Sequence, residues 1–192
     1  MPRLFVAIWP PEEVLEQLAA LDRPEVDGLR WTDRPQWHVT LRFLGQVADV
    51  APVSEALSTV DAAATTARLG PALARFGQRI LHVPVAGADS IAAGVVAATA
   101  GLGRPPDDRP FHGHVTLARS AKHARVDLRP LTGRSVAARW VAGSLCLVES
   151  RLSPAGARYT VVQEFPLRPP VQPEAGAAEP VPPQGGGRRR TS

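Results

Sequence analysis

One tetrapeptide occurs twice in this chain, as His38-Val39-Thr40-Leu41 and as His114-Val115-Thr116-Leu117, 76 residues apart (114 − 38). Side chains of an extended strand alternate between its two faces. His and Thr therefore share one face in each copy, while Val and Leu share the other and can enter a core. The fold must then accommodate two half-buried strands in the same phase. Two such strands in a two-lobed body aim both imidazole–hydroxyl pairs into one cleft. A single His-x-Thr on a strand is more often structural than catalytic. Its recurrence in a chain with only 5 histidines is hard to assign to chance.

The elements around the repeat set the fold class. Residues 4–9 read as a buried strand stopped by Pro10-Pro11. Pro11-Glu12-Glu13 then opens a helix, where free N–H groups favour proline and acids, and Val14, Leu15, Leu18 and Leu21 continue it at helical spacing. Residues 37–44 form the next strand, closed by Gly45. The Ala-rich stretch 50–67 predicts a second helix, with Pro52 near its start. Strands follow over 72–76 and 79–85, joined through Gly77, and Ser90 caps a third helix running to about residue 100. Residues 101–110 are a loop by composition. A strand over 111–119 carries the second histidine motif. A closing antiparallel pair spans 140–150 and 158–165, turning at Ser153-Pro154-Ala155-Gly156. Strand–helix alternation followed by hairpin-like succession predicts an α+β fold.

Composition bounds what this body can be. With 192 residues, 44% of them hydrophobic, the chain can bury one core or two small lobes sharing one. From residue 169 to 192, proline, glycine, alanine and glutamine dominate, so that segment cannot repay its ordering entropy and is expected to be a disordered tail. The functional body is therefore residues 1–168. The net charge of +4 permits a nucleic-acid partner without requiring one. Lys122 is the only lysine among 22 basic residues. Arginine suits phosphate oxygens, although codon bias explains the same excess. Cys146, the lone cysteine between Leu145 and Leu147, reads as an inert core thiol and allows no internal disulfide. The short apolar N-terminal run lacks the features of a signal peptide, and nothing approaches a membrane span. The expected setting is cytoplasmic, away from any membrane, as a monomer.

The paired motif suits in-line cleavage of a phosphodiester. One group takes a proton from the attacking oxygen while another gives one to the leaving oxygen opposite, and histidine serves either role near neutrality. Threonine hydroxyls, with an arginine, can donate to the non-bridging oxygens. Arg42 lies on the face of His38 and Thr40 by period two. Arg119 falls out of phase with His114 and reaches the cleft only where the strand bends or ends. No metal or cofactor is needed for this scheme. His38, His112 and His114 could together hold a metal through three imidazoles, but no carboxylate or cysteine signature accompanies them. His82 and His123 read as structural or exposed. Phe5, Trp9 and Trp37 could stack on a base or fill the core.

These residues resemble the bacterial and archaeal RNA 2′,3′-cyclic phosphodiesterases, the LigT/ThpR-like group once called 2′-5′ RNA ligases, within the two-histidine (2H) phosphoesterase superfamily. The resemblance covers nearly all of residues 3–168. It rests on Arg3-Leu4-Phe5-Val6-Ala7-Ile8, on the two motif segments 37–45 and 109–119, and on Ser150-Arg151-Leu152-Ser153-Pro154 with Gly156, Tyr159 and Phe165-Pro166-Leu167. It implies a two-lobed α+β fold of antiparallel sheets, with pseudo-twofold symmetry about a central cleft and helices outside. It further implies metal-independent hydrolysis of terminal 2′,3′-cyclic phosphate to a 2′-phosphomonoester, acting on RNA 3′ ends or small cyclic nucleotides. By that carry-over His38 protonates the leaving 3′-oxygen, His114 activates water, and Thr40, Thr116 and Arg119 hold the phosphate. Trp9 stands where the family commonly has aspartate, and Gly113 where proline often precedes the second histidine. Two alternatives stay open: a nucleotide- or RNA-binding module without turnover, and RNA ligation as the reverse reaction.

Overall fold

Strand β1 (Arg3–Ile8) is apolar on both faces because both faces are covered. Leu4, Val6 and Ile8 enter the main core, while Phe5 and Ala7 pack a second cluster with Cys146 and Val148. A continuous apolar run is the expected signature of a strand buried on both sides. Helix α1 (Glu12–Ala19) follows with Glu12 and Glu13 in its first turn and buries Val14 and Leu18. In the computed structural model, residues 1–106, 108–153 and 156–170 are described. The expected tail lies outside them from residue 171 onward, as do Pro154 and Ala155 of the expected turn.

The remaining elements are β2 (Leu29–Trp31), β3 (Val39–Gln46), α2 (Ala51–Ser58), β4 (Thr65–Leu69), β5 (Ala74–Phe76), β6 (Ile80–Ala86), α3 (Asp89–Ala98), β7 (His114–Ser120), β8 (Ala138–Ala142), β9 (Ser144–Ser153) and β10 (Gly156–Pro166). Ten strands form one curled antiparallel sheet in the order β10-β9-β1-β3-β7-β6-β4-β8, with β2 added to β7 and β5 to β6. The α+β class and its antiparallel sheet are those expected.

The order divides at its centre. β3 and β7, the two motif strands, meet through one registered pair among the described residues, Val39↔Val115. Each is the inner strand of a β-α-β unit, β1-α1-β3 on one side and β6-α3-β7 on the other, with β1–β3 and β6–β7 both antiparallel. The sheet therefore repeats itself about the line where the histidine strands touch.

Three local expectations change. The helix expected over 50–67 ends at Ser58, and Thr65–Leu69 form β4 instead. Alanine content favours helix only weakly. Thr65 and Thr66 are β-branched, Ala67 and Leu69 alternate inward, and pairing with β8 decides the outcome. The single strand expected over 140–150 is two strands divided at Gly143. β8 pairs with β4 at one end of the sheet, and β9 lies between β1 and β10 at the other. Strand β2 has no counterpart among the expected elements, because three residues show no readable alternation. Ser90 sits inside the first turn of α3, whose N-cap is Ala88.

Candidate active site

The two histidines stand at the starts of the central strands. His114 opens β7 and His38 immediately precedes β3. Val39, Leu41, Val115 and Leu117 are buried in the main core, as the alternation requires. His38, Thr40, His114 and Thr116 line one cleft of about 650 Å³ together with Arg119, Gln36 and Tyr159. All five site residues anticipated from sequence and family resemblance are thus brought together.

Arg42 is the exception to the period-two reading, and the register explains it. Opposite β1, Thr40 pairs with Ala7 and Arg42 with Val6, so Leu41 is an extra residue. A bulge of this kind reverses the alternation beyond it. Arg42 turns inward and is almost fully buried. Its guanidinium donates to the carbonyls of Val96 (3.0 Å), Leu102 (3.2 Å) and Arg104 (3.2 Å) and to Thr99 Oγ1 (2.5 Å). It caps the C-terminal end of α3, where carbonyls lack helical partners and a cation is favoured. Burial pulls its pKa below the ordinary arginine value.

The same device operates in the second copy with the opposite consequence. Opposite β6, Thr116 pairs with His82 and Ala118 with Leu81, which leaves Leu117 extra. Ala118 is buried and Arg119 returns to the cleft, its Nη2 3.5 Å from Thr116 Oγ1. Thr32 clasps this bulge. Its hydroxyl shares its one proton between the carbonyls of Thr116 (2.8 Å) and Leu117 (2.9 Å) and accepts from Trp37 Nε1 (3.1 Å). The residue before the first histidine is therefore tied to the bulge that follows the second.

His114 is oriented by its own loop. Nδ1 lies 2.7 Å from the His112 carbonyl, which can only accept, so Nδ1 carries the proton and Nε2 keeps a lone pair on the neutral ring. Gly113 makes this approach possible, since a Cβ there would lie 2.4 Å from the Val85 carbonyl oxygen. The His112 backbone thus serves the site, and its ring is exposed. Among the described residues, no group of three His, Cys, Asp or Glu side chains has an arrangement that could hold a metal ion.

Aromatic side chains surround both imidazoles, a feature alternation does not reveal. His38 is packed by Phe5 (4.8 Å between ring centres), Trp9 (5.1 Å) and, edge-on, Tyr159 (5.1 Å). Trp37 instead fills the core beneath Arg23. Behind His114 stand Phe76, edge-on at 4.9 Å, and His82 at 5.3 Å, stacked on one another at 3.9 Å. His82 is buried, matching the structural half of its reading. Its position against His114 was not legible, because the contact depends on the β6–β7 register.

This packing sets the electrostatics. Burial lowers the His38 pKa to about 4; the Gln36 backbone opposes the shift, and Arg119 and His114 add to it. His114 is lowered by burial first, against the His112 carbonyl, with Arg119 and the His112 ring contributing. His82 is likewise lowered to about 4, by burial and by the neighbouring His114. The free site therefore holds neutral imidazoles at pH 7. Cys146 is kept protonated, burial raising its pKa to about 11.

The fold recurs in known proteins. The family model described as LigT like Phosphoesterase matches residues 8–70, which include the first histidine motif. The RNA 2′,3′-cyclic phosphodiesterase of Thermus thermophilus is 30% identical over 184 residues, covering 86% of this chain and 90% of the relative. Among solved structures, TT0787 of Thermus thermophilus superposes with a TM-score of 0.69 at 30% identity, covering 87% of this chain and 98% of that one. E. coli LigT in its apo form superposes with a TM-score of 0.69 at 25% identity and the same coverage. With two-histidine strands meeting at the centre of a shared fold, this chain belongs to the LigT-like phosphoesterase family.

Proposed function

We propose that this protein hydrolyses 2′,3′-cyclic phosphate at RNA ends to a 2′-phosphomonoester, by acid–base catalysis between His38 and His114 and without a metal. The observation that carries this reading is the convergence of both His-x-Thr pairs and Arg119 on one cleft. The name of the Thermus thermophilus relative supplies the substrate class. His114 Nε2 takes a proton from water as the water oxygen bonds to phosphorus. The P–O3′ bond breaks, and His38 protonates the departing 3′-oxygen. Thr40, Thr116 and Arg119 donate to the non-bridging oxygens as charge gathers there. The proton held by His114 Nδ1 favours the base role for that residue. His38, neutral in the free site, takes up its proton as the anionic phosphate arrives and raises its pKa. Its aromatic enclosure keeps bulk water from competing for that proton. Hydrolysis is the expected direction, since water is present in great excess over any ribose hydroxyl.

The test is a defined oligoribonucleotide ending in 2′,3′-cyclic phosphate, incubated in the presence of a chelator. The expected product carries a 2′-phosphate. Activity that disappears with chelator, or that survives replacement of both histidines by alanine, overturns the mechanism. Tight binding with no turnover on any cyclic phosphate would favour a binding module instead.

A further inference from the structure

The cleft holding Arg119 has a neighbour. A second depression of about 1590 Å³ shares Thr40 and His114 with it and runs along residues 40–43 of β3, over α3, toward the segment before β7. The two are related by the internal repeat, because Phe43 stands 76 residues before Arg119 (119 − 43) and follows the equivalent bulge. Where the first cleft presents a guanidinium beside its threonine, the second presents a phenyl ring. Phe43 and Phe76, both more than a third exposed, stand at its rim. Arg104 and Arg109 line it, and α3 contributes the small, exposed Ala93.

We propose that this groove binds the RNA strand that leads to the cyclic phosphate, holding the nucleotide adjacent to the terminal one. The inference rests on the hydrolytic reading above and extends it from a terminal group to a polymer. Two features select a nucleic-acid chain. An occupant reaching Thr40 and His114 adjoins a phosphate held between the histidines, as the next nucleotide of one strand would. Aromatic rims, with Arg3 over the Phe43 ring, and two arginines against one acid, Asp89, match a strand whose bases stack and whose backbone is anionic; such stacking is tolerant of base identity. The first cleft, with less than half the volume, is the place of the terminal cyclic phosphate in this reading.

The experiment compares a nucleoside 2′,3′-cyclic phosphate with a pentaribonucleotide bearing the same 3′-terminal nucleotide. The expected kcat/KM is about tenfold or more higher for the pentamer, the factor expected of one stacked base. Ala93→Trp, which fills the groove from an exposed helix position, should bring the pentamer-to-monomer ratio toward one. Arg109→Gln should flatten the salt dependence of pentamer binding, read by fluorescence anisotropy. Equal kcat/KM for the two substrates, or a ratio unmoved by Ala93→Trp in a variant with wild-type circular dichroism, overturns the groove. Should neither substrate turn over, the hydrolytic reading falls by itself. Pentamer binding weakened about tenfold by Ala93→Trp would still support the groove in that case, and unweakened binding would overturn both.

Discussion

At the residue scale, identical tetrapeptides place their histidines in different surroundings. His38 sits among Phe5, Trp9 and Tyr159, whereas His114 leans on a carbonyl and on the Phe76–His82 stack. His38→Ala and His114→Ala should each lower kcat by about 10²–10⁴-fold, the usual worth of a positioned acid or base, with little change in the melting temperature. Arg119 depresses both imidazole pKa values. Its replacement by alanine should cost about 10²-fold in rate. It should also raise both pKa values, moving the acidic limb of the kcat/KM profile to higher pH. A limb that stays in place while the rate falls would show that Arg119 acts on the phosphate and not on the histidines.

At the scale of elements, two bulges decide which arginine serves the site. The bulge at Leu41 sends Arg42 inward to close α3, and the bulge at Leu117 returns Arg119 to the cleft. Arg42→Met should therefore destabilise the fold by about 3 kcal/mol or more, since several buried hydrogen bonds to a charged group are lost together. Arg119→Met should leave stability nearly unchanged; urea unfolding of the pair separates the two roles. Thr32→Val removes the clasp on the second bulge and orphans Trp37 Nε1. A loss of about 1–2 kcal/mol is expected, together with a fall in kcat/KM in the direction of Arg119→Ala. Wild-type turnover in Thr32→Val would mean that the bulge holds without it.

At the scale of the whole molecule, the line where β3 meets β7 is both the weakest seam of the sheet and the place where the cleft forms. The geometry of the cleft there depends on packing from both sides, and that packing buries imidazoles in neutral form. His38 and His82 fall from 6.5 to about 4 on folding. The unfolded chain binds more protons between those values, so stability is fully present above about pH 6.5 and is lost as pH falls toward 4. Burial of His82, the first cause of its lowered pKa, is one source of this loss. Denaturant unfolding at pH 7 and pH 4.5 should show this loss, and His82→Phe should reduce it. An identical pH dependence in that variant would contradict the burial argument.

Local alternation made part of the lining of the cleft legible before any fold was known. The phase of His-Val-Thr-Leu is a property of four consecutive residues, and it placed both histidines and both threonines on the face that lines the cleft. The resemblance of the surrounding motifs correctly implied the fold family and, against strict alternation, the approach of Arg119. What local sequence lacked was any statement of partnership. A bulge exists only relative to the strand opposite, so the opposite fates of Arg42 and Arg119 follow from pairing with β1 and β6. The same holds for β4 and β8, whose identity as strands comes from each other, and for the rings around His38 and His114, drawn from positions far apart in the chain. Side-chain alternation is dictated within a strand, whereas register, burial and the groove beside the histidines are decided between strands.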